Sequence, residues 1–310
     1  MPADRPSRPR PHAARGDRPH RPARGPNRSD SHRPNRSGAA RSPNPSDSHR
    51  APNRSGAARS PNPSGVHHLH HPATLRALVG GSGVGPGDCV YDLGAGPGTI
   101  TAALARTGAT VVAVERDPRY ARELRRRFAD APRVHVVAAD LRAVRLPPEA
   151  RVVASIPFAT SSALVARLLD RPGRPCAGAD LLVERGFALR VAARRPRSER
   201  AAWWAARHEL RLVRTVGRDA FAPPPSVDAA LLRIRPRPPR GADAERRLRA
   251  LLRTVYGGRH ARAAAVARRF AGRRAGTILL RAAGADPDAH PLEVPPHVWA
   301  TVAAGGRDRT

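Results

Sequence analysis

The chain has 310 residues, of which 56 are basic Lys or Arg and 25 acidic, giving a net charge of +31 and a pI near 11.9. A charge of that sign favours polyanionic partners and argues against basic ones, while saying little about fold. Lys and Gln are absent and all Asn lie before residue 63, so part of the arginine excess reads as codon bias and the net charge is the safer signal. Two cysteines, Cys89 and Cys176, exclude a disulfide framework and a four-thiolate zinc site. No apolar run reaches the roughly 18 residues of a membrane span, and the N-terminus lacks the apolar core of a secretory signal. The expectation is a soluble, cytoplasmic protein.

Residues 1–65 hold no Val, Leu, Ile, Phe, Tyr or Trp, but 14 Arg and 13 Pro. Such a segment buries too little apolar surface to offset the entropy of ordering, so disorder is expected. It also carries a duplication: Ser29–Pro45 (SDSHRPNRSGAARSPNP) recurs as Ser46–Pro63 with Ala51 inserted. The plain reading is a duplication in a tolerant tail. The functional reading is an arm that adds sequence-blind phosphate contacts.

From Val66 the composition changes. A short helical pattern over Ala73–Val79 leads to the apolar strand Val90–Leu93. Gly-rich Gly94–Gly98 follows, then a helix over Thr99–Arg106, a strand over Thr110–Glu115 and a helix over Pro118–Phe128. Val134–Asp140, Arg151–Ile156 and Ala179–Val183 read as strands, and Thr160–Leu169 as a helix. Val227–Ile234 reads as a late strand in a hairpin with Leu210–Val216. This alternation predicts an α/β fold with a Rossmann-like, doubly wound parallel sheet over 66–238. Residues 239–310 lose the strand signal. Arg246–Tyr256 and Arg262–Ala283 have helical periodicity, giving a small all-helical domain. Its arginines suit a solvated face or RNA contact.

Tyr91–Thr99 (YDLGAGPGT) closes the first strand and opens a helix. Glycines there let the backbone approach a ligand. Thr99 stands where a dinucleotide fingerprint has its last Gly, and no Lys exists to complete a phosphate loop. Glu115 ends the second strand, 21 residues after Gly94, where a carboxylate accepts from a ribose diol. Asp140 is placed at the end of the third strand, where it would accept from an adenine amine. A nucleoside site without a pyrophosphate loop suits S-adenosyl-L-methionine. The plainer reading is a generic nucleotide-fold turn with surface acids. Ser155-Ile156-Pro157-Phe158 follows the fourth strand at the ligand-binding edge of the sheet. A polar residue, a turn carbonyl and an aromatic are the parts needed to hold an exocyclic amine on an extruded base. Alone, the same four residues are a turn with a core Phe.

In this order the motifs resemble the rRNA adenine N6-methyltransferases, which include the Erm macrolide-resistance methylases and the KsgA-type dimethyladenosine transferases. The resemblance spans Gly65–Leu280. His71-Pro72-Ala73-Thr74 stands for D-P-A-T, Ala139-Asp140-Leu141 for G-D-I/L, and Phe221–Ala229 (FAPPPSVDA) for F-x-P-x-P-x-V-D-A. The resemblance implies donor contacts from His67, Leu69, Gly94, Ala95, Gly96, Glu115, Arg116, Asp140, Leu141 and Ser155. It implies that Ser155, Ile156, Pro157 and Phe158 hold the target adenine. Two motifs depart from the family pattern. Q-N-F-L reads Val66-His67-His68-Leu69, so His67 replaces a donor-contacting Asn and His68 an aromatic. N-I-P-Y/F reads S-I-P-F. The histidines at 67, 68, 70 and 71 overlie a family motif and are not taken as a metal site. The implied function is Erm-type mono- or dimethylation of an adenine in nascent or protein-free 23S rRNA, in the peptidyl-transferase region. That would confer macrolide–lincosamide–streptogramin B resistance through a monomeric enzyme without metal. The alternatives are a KsgA-type 16S rRNA dimethyltransferase and a non-catalytic RNA-binding relative.

Overall fold

A computed structural model describes residues 66–148, 150–170, 177–258 and 261–306. The expectations for residues 1–65, their duplication included, lie outside the described residues. The strands are β1 (His68–Leu69), β2 (Cys89–Leu93), β3 (Thr110–Glu115), β4 (Val134–Ala138), β5 (Arg151–Ser155), β6 (Gly178–Glu184), β7 (His208–Val216), β8 (Phe221–Ala222) and β9 (Ala229–Pro236). The helices among them are α1 (Pro72–Gly80), α2 (Thr99–Ala105), α3 (Pro118–Arg127), α4 (Phe158–Leu169), α5 (Arg185–Val191) and α6 (Glu199–Arg207). After the last strand come α7 (Ala242–Gly257), α8 (Ala263–Ala271), α9 (Arg273–Ala282) and α10 (Pro296–Ala304).

Seven strands form one sheet in the order β4-β3-β2-β5-β6-β9-β7. The first five are parallel, in register Glu115↔Ala138, Leu93↔Val114 and Ser155↔Leu182. β9 joins antiparallel to β6 and β7, the expected late hairpin, and makes the sheet mixed. From β2 the chain winds outward through β3 and β4, then returns to β5 on β2's other side. That reversal opens a crevice at the carboxyl ends of β2 and β5, where open α/β sheets bind ligands.

Both faces of the sheet are covered, as alternating side chains show. Val152, Ala154, Leu181, Val183, Leu232 and Ile234 face the core shared with α4–α8 and α10. Their neighbours Val153, Leu182 and Leu231 face the core under α1 and α2. β6 is therefore a continuous apolar run, and each of Leu181, Leu182 and Val183 contributes roughly 1.5–3 kcal/mol by burial. α3 covers the far end of the sheet, with Leu124 on Ala113.

α7 buries Leu248, Leu251, Leu252 and Val255, an i, i+3, i+4, i+7 stripe, into the same core as α4 and α6. The stretch expected as helical over Arg262–Ala283 is two helices. It breaks at Gly272, whose φ of +87° takes the chain off the helical path. β4 ends at Ala138, so Asp140 stands in the loop beyond the strand rather than at its end. α4 begins at Phe158, earlier than the expected Thr160, which puts that ring in the helix's first turn. Among the described residues no helix is long and apolar enough to cross a membrane.

Candidate active site

A cavity of about 510 Å³ opens at the crevice. His67, Leu69, Gly94, Ala95, Gly96, Glu115, Arg116, Asp140 and Leu141 line it, and so do Ser155, Ile156, Pro157 and Phe158. All the residues expected at a donor or target site thus converge on one space. They arrive from the ends of β2, β3, β4 and β5 and from the short strand β1.

The glycine loop is pinned by its neighbours. The N–H groups of Gly94 and Ala95 donate to the Val114 carbonyl at 2.8 and 3.0 Å. Glu115 is buried at the end of β3, and its carboxylate accepts from Gly96 N–H and Asp117 N–H, each at 2.8 Å. Two backbone donors fix the carboxylate while leaving lone pairs for a diol. Beneath the loop, Asp92 is fully buried and accepts from the Thr101 hydroxyl at 2.6 Å. Burial pushes its carboxyl up to about 7, with Thr101 opposing the shift.

Gly94 and Gly96 have φ of +81° and +51°. A methyl group on Gly94 would lie 3.6 Å from Leu141 and 3.9 Å from Pro157, both walls of the cavity. One on Gly96 would come within 2.9 Å of the His68 ring. Asp140 pairs with Arg142 at 2.6 Å, and this guanidinium holds its carboxyl well below the usual carboxylate range. It stays charged at neutral pH and half open to the cavity.

The last wall is a strap. β1 pairs antiparallel with β8, His68 opposite Ala222 and Leu69 opposite Phe221. His67 Nδ1 lies 2.7 Å from the Pro223 carbonyl, which can only accept, so Nδ1 carries the proton. Its ring centroid lies 6.0 Å from that of Phe158. His68 Nε2 hydrogen-bonds the Tyr120 hydroxyl at 3.1 Å. Burial lowers its pKa, and the nearby Glu115 charge opposes that shift. Sequence reasoning missed Tyr120, Pro223 and Arg142 as parts of the site. Tyr120 follows the strand-end acid Glu115 and Arg142 the loop acid Asp140 closely, which was the available signal; Pro223 lay inside a motif read for its family match only.

A family model described as ribosomal RNA adenine dimethylase matches residues 62–261. The chain belongs to that family. Membership brings S-adenosyl-L-methionine as cofactor, and the cavity fits it: glycine backbone on one wall, a fixed buried carboxylate, and a volume suited to a small ligand. Two curated relatives are the rRNA adenine N-6-methyltransferase of Bacillus licheniformis and the ribosomal RNA small subunit methyltransferase A of Synechococcus sp. (strain JA-3-3Ab). The first is 31% identical over 167 residues, 54% of this chain and 58% of the relative. The second is 35% identical over 182 residues, 55% of this chain and 65% of the relative. The matches thus span less than two thirds of these relatives' length. Among solved structures, the 23S rRNA methyltransferase ErmE matches with a TM-score of 0.64 at 29% identity, over 76% of this chain and 97% of that one.

Proposed function

We propose that the protein methylates N6 of one adenine in 23S rRNA, in the peptidyl-transferase region of nascent or protein-free RNA. The product would obstruct the macrolide, lincosamide and streptogramin B site and confer resistance. The observation that carries this reading is the single cavity joining the glycine loop, Glu115 and Asp140 to Ser155–Phe158 at the sheet's switch point. The donor supplies a methyl group on a cationic sulfur. Glu115 takes the ribose diol, Asp140 the adenine amine of the donor, and Gly94–Gly96 the backbone approach.

Phe158 stacks on the extruded base, and Ser155 accepts from its exocyclic amine. The Pro157 carbonyl already accepts from Thr160 N–H and hydroxyl, at 2.9 and 2.8 Å. The Ile156 carbonyl is therefore the turn's acceptor for the second amine hydrogen. With both hydrogens held, the nitrogen lone pair faces the methyl carbon. Ser155, the Ile156 carbonyl and Phe158 would thus hold the nitrogen in line with the methyl group that the bound donor supplies, and the amine proton would be left to solvent. Positioning supplies the rate, without a strong base.

Similarity to ErmE over nearly all of that chain supports the large-subunit target. Similarity to a small-subunit methyltransferase supports a second reading, dimethylation of 16S rRNA. We read the protein as a cytoplasmic monomer, with the chemistry in 66–238 and RNA contacts from the arginines of 239–310. The test is labelled methyl transfer to protein-free large- and small-subunit rRNA, with primer-extension mapping. Label at one large-subunit adenine is expected; a primer-extension stop there marks dimethylation, which removes both pairing hydrogens of the amine, and the mass of the base identifies a single methyl group where extension reads through. Label confined to the small subunit would overturn the reading in favour of the second.

A further inference from the structure

The strap carries two adjacent histidines, His68 in β1 and His67 just before it, and they face different walls of the cavity. Their contacts divide accordingly. The ring of His68 stands over Gly96 and bonds Tyr120, on the side of the glycine loop and Glu115. His67 touches Phe158 and the Pro223 carbonyl, on the side of Ser155-Ile156-Pro157-Phe158. None of His67's hydrogen-bond or ring contacts is to the glycine loop. The family resemblance alone places His67 on the donor.

We propose that the strap serves two ligands, with His68 shaping the donor site and His67 acting as a positioning residue for the target adenine through Phe158. This rests on the proposed function for the identity of the base. The hydrogen bond to Pro223 anchors the imidazole to the loop after β8. From there the ring buttresses Phe158 and sets the angle at which a flipped base stacks. Phe158 lies in the first turn of α4, next to the turn whose carbonyl and hydroxyl hold the amine. A tilt of that ring would misdirect the nitrogen without touching the donor.

The test titrates S-adenosyl-L-homocysteine by calorimetry into the full-length protein and into His67→Ala and His68→Ala, with thermal melts to confirm folding. His68→Ala is expected to weaken binding by about tenfold or more, and His67→Ala by less than about twofold. Equal losses in both variants, or a larger loss in His67→Ala, would overturn the proposal. The second arm measures methyl transfer to protein-free 23S rRNA. His67→Ala is expected to lower kcat about tenfold, and His67→Phe, which keeps a ring against Phe158, to recover to within about threefold of wild type. An unchanged kcat in His67→Ala would also overturn it. A wild-type protein that binds the homocysteine product yet methylates no rRNA would refute the proposed function instead. The calorimetric contrast would then still decide between the two sides of the strap.

Discussion

Replacing Gly96 with Ala is the sharpest probe of how the donor loop and the strap fit together. An L-residue at its φ of +51° costs about 1–2 kcal/mol of backbone strain. The added methyl would also stand 2.9 Å from His68 Cε1 and Nδ1, so the imidazole must move. Moving it breaks the 3.1 Å bond to Tyr120, worth about 1 kcal/mol. Gly94→Ala meets only the first cost, because its methyl finds no atom nearer than 3.6 Å. The expected loss is therefore about 2–3 kcal/mol for Gly96→Ala, against 1–2 kcal/mol for Gly94→Ala. At roughly 2–4 °C per kcal/mol, Gly96→Ala should melt about 5–10 °C below wild type. The decisive assay is a double-mutant cycle read by denaturant unfolding. Adding Gly96→Ala to His68→Ala should cost only the backbone strain, leaving a coupling of about 1 kcal/mol. Strict additivity, or equal destabilisation by the two glycine substitutions, would refute the account of His68 resting on the loop.

Other outcomes follow from the same structure. On the proposed roles, Ser155→Ala removes the amine acceptor and should lower kcat by about 10- to 100-fold, with a much smaller loss in calorimetric binding of S-adenosyl-L-homocysteine, because the effect is felt chiefly in orienting the base. Asp92 protonates near 7 when folded against 3.8 as its ordinary value, so its contribution to stability is fully present below about pH 4 and is lost as pH rises through 7. Urea unfolding should therefore show Asp92→Asn gaining about 2–3 kcal/mol on wild type between pH 5 and pH 8, and parallel profiles would count against the buried carboxyl. Asp180 is buried in β6 and pairs with Arg233 and Arg235, each at 2.7 Å. Asp180→Ala takes the counter-charge from two half-buried guanidiniums, of which Arg235 keeps carbonyl partners at Ala179, Ile234, Gly81 and Ser82, and should cost about 1–3 kcal/mol by chemical denaturation. RNA affinity should fall steeply with salt, since arginine–phosphate contacts release counterions; a flat log–log plot of binding constant against salt would exclude that mode.

Much of this molecule was legible in its residues. β3 runs over Thr110–Glu115 as its near-continuous apolar run Val111–Val114 implies, because a parallel strand covered on both faces is apolar over most of its length. That the glycine loop, Glu115 and Ser155–Phe158 would meet at one place was readable because segments following parallel strands share the carboxyl edge of the sheet. Weaker local signals failed. β1 and β8 are two residues each, too short for any periodicity, and among the described residues each pairs with the other alone. α6 and α10 carry three tryptophans, Trp203, Trp204 and Trp299, in the core, but no sequence pattern told which face they would cover.

The sequence by itself determined the family and the motifs that line the cavity, since those depend on side-chain type and on spacing along one strand–turn–helix unit. The tertiary structure alone decided how the parts face one another. Phe221 lies 152 positions beyond Leu69, yet the pairing of β8 with β1 draws the strap across the cavity. That pairing sets His68 on Gly96 and His67 on Phe158, and it seats Tyr120 of α3 against the strap. These contacts join segments far apart in the chain. They exist only once the sheet has closed the distance, so no local pattern could encode which wall of the cavity each histidine faces.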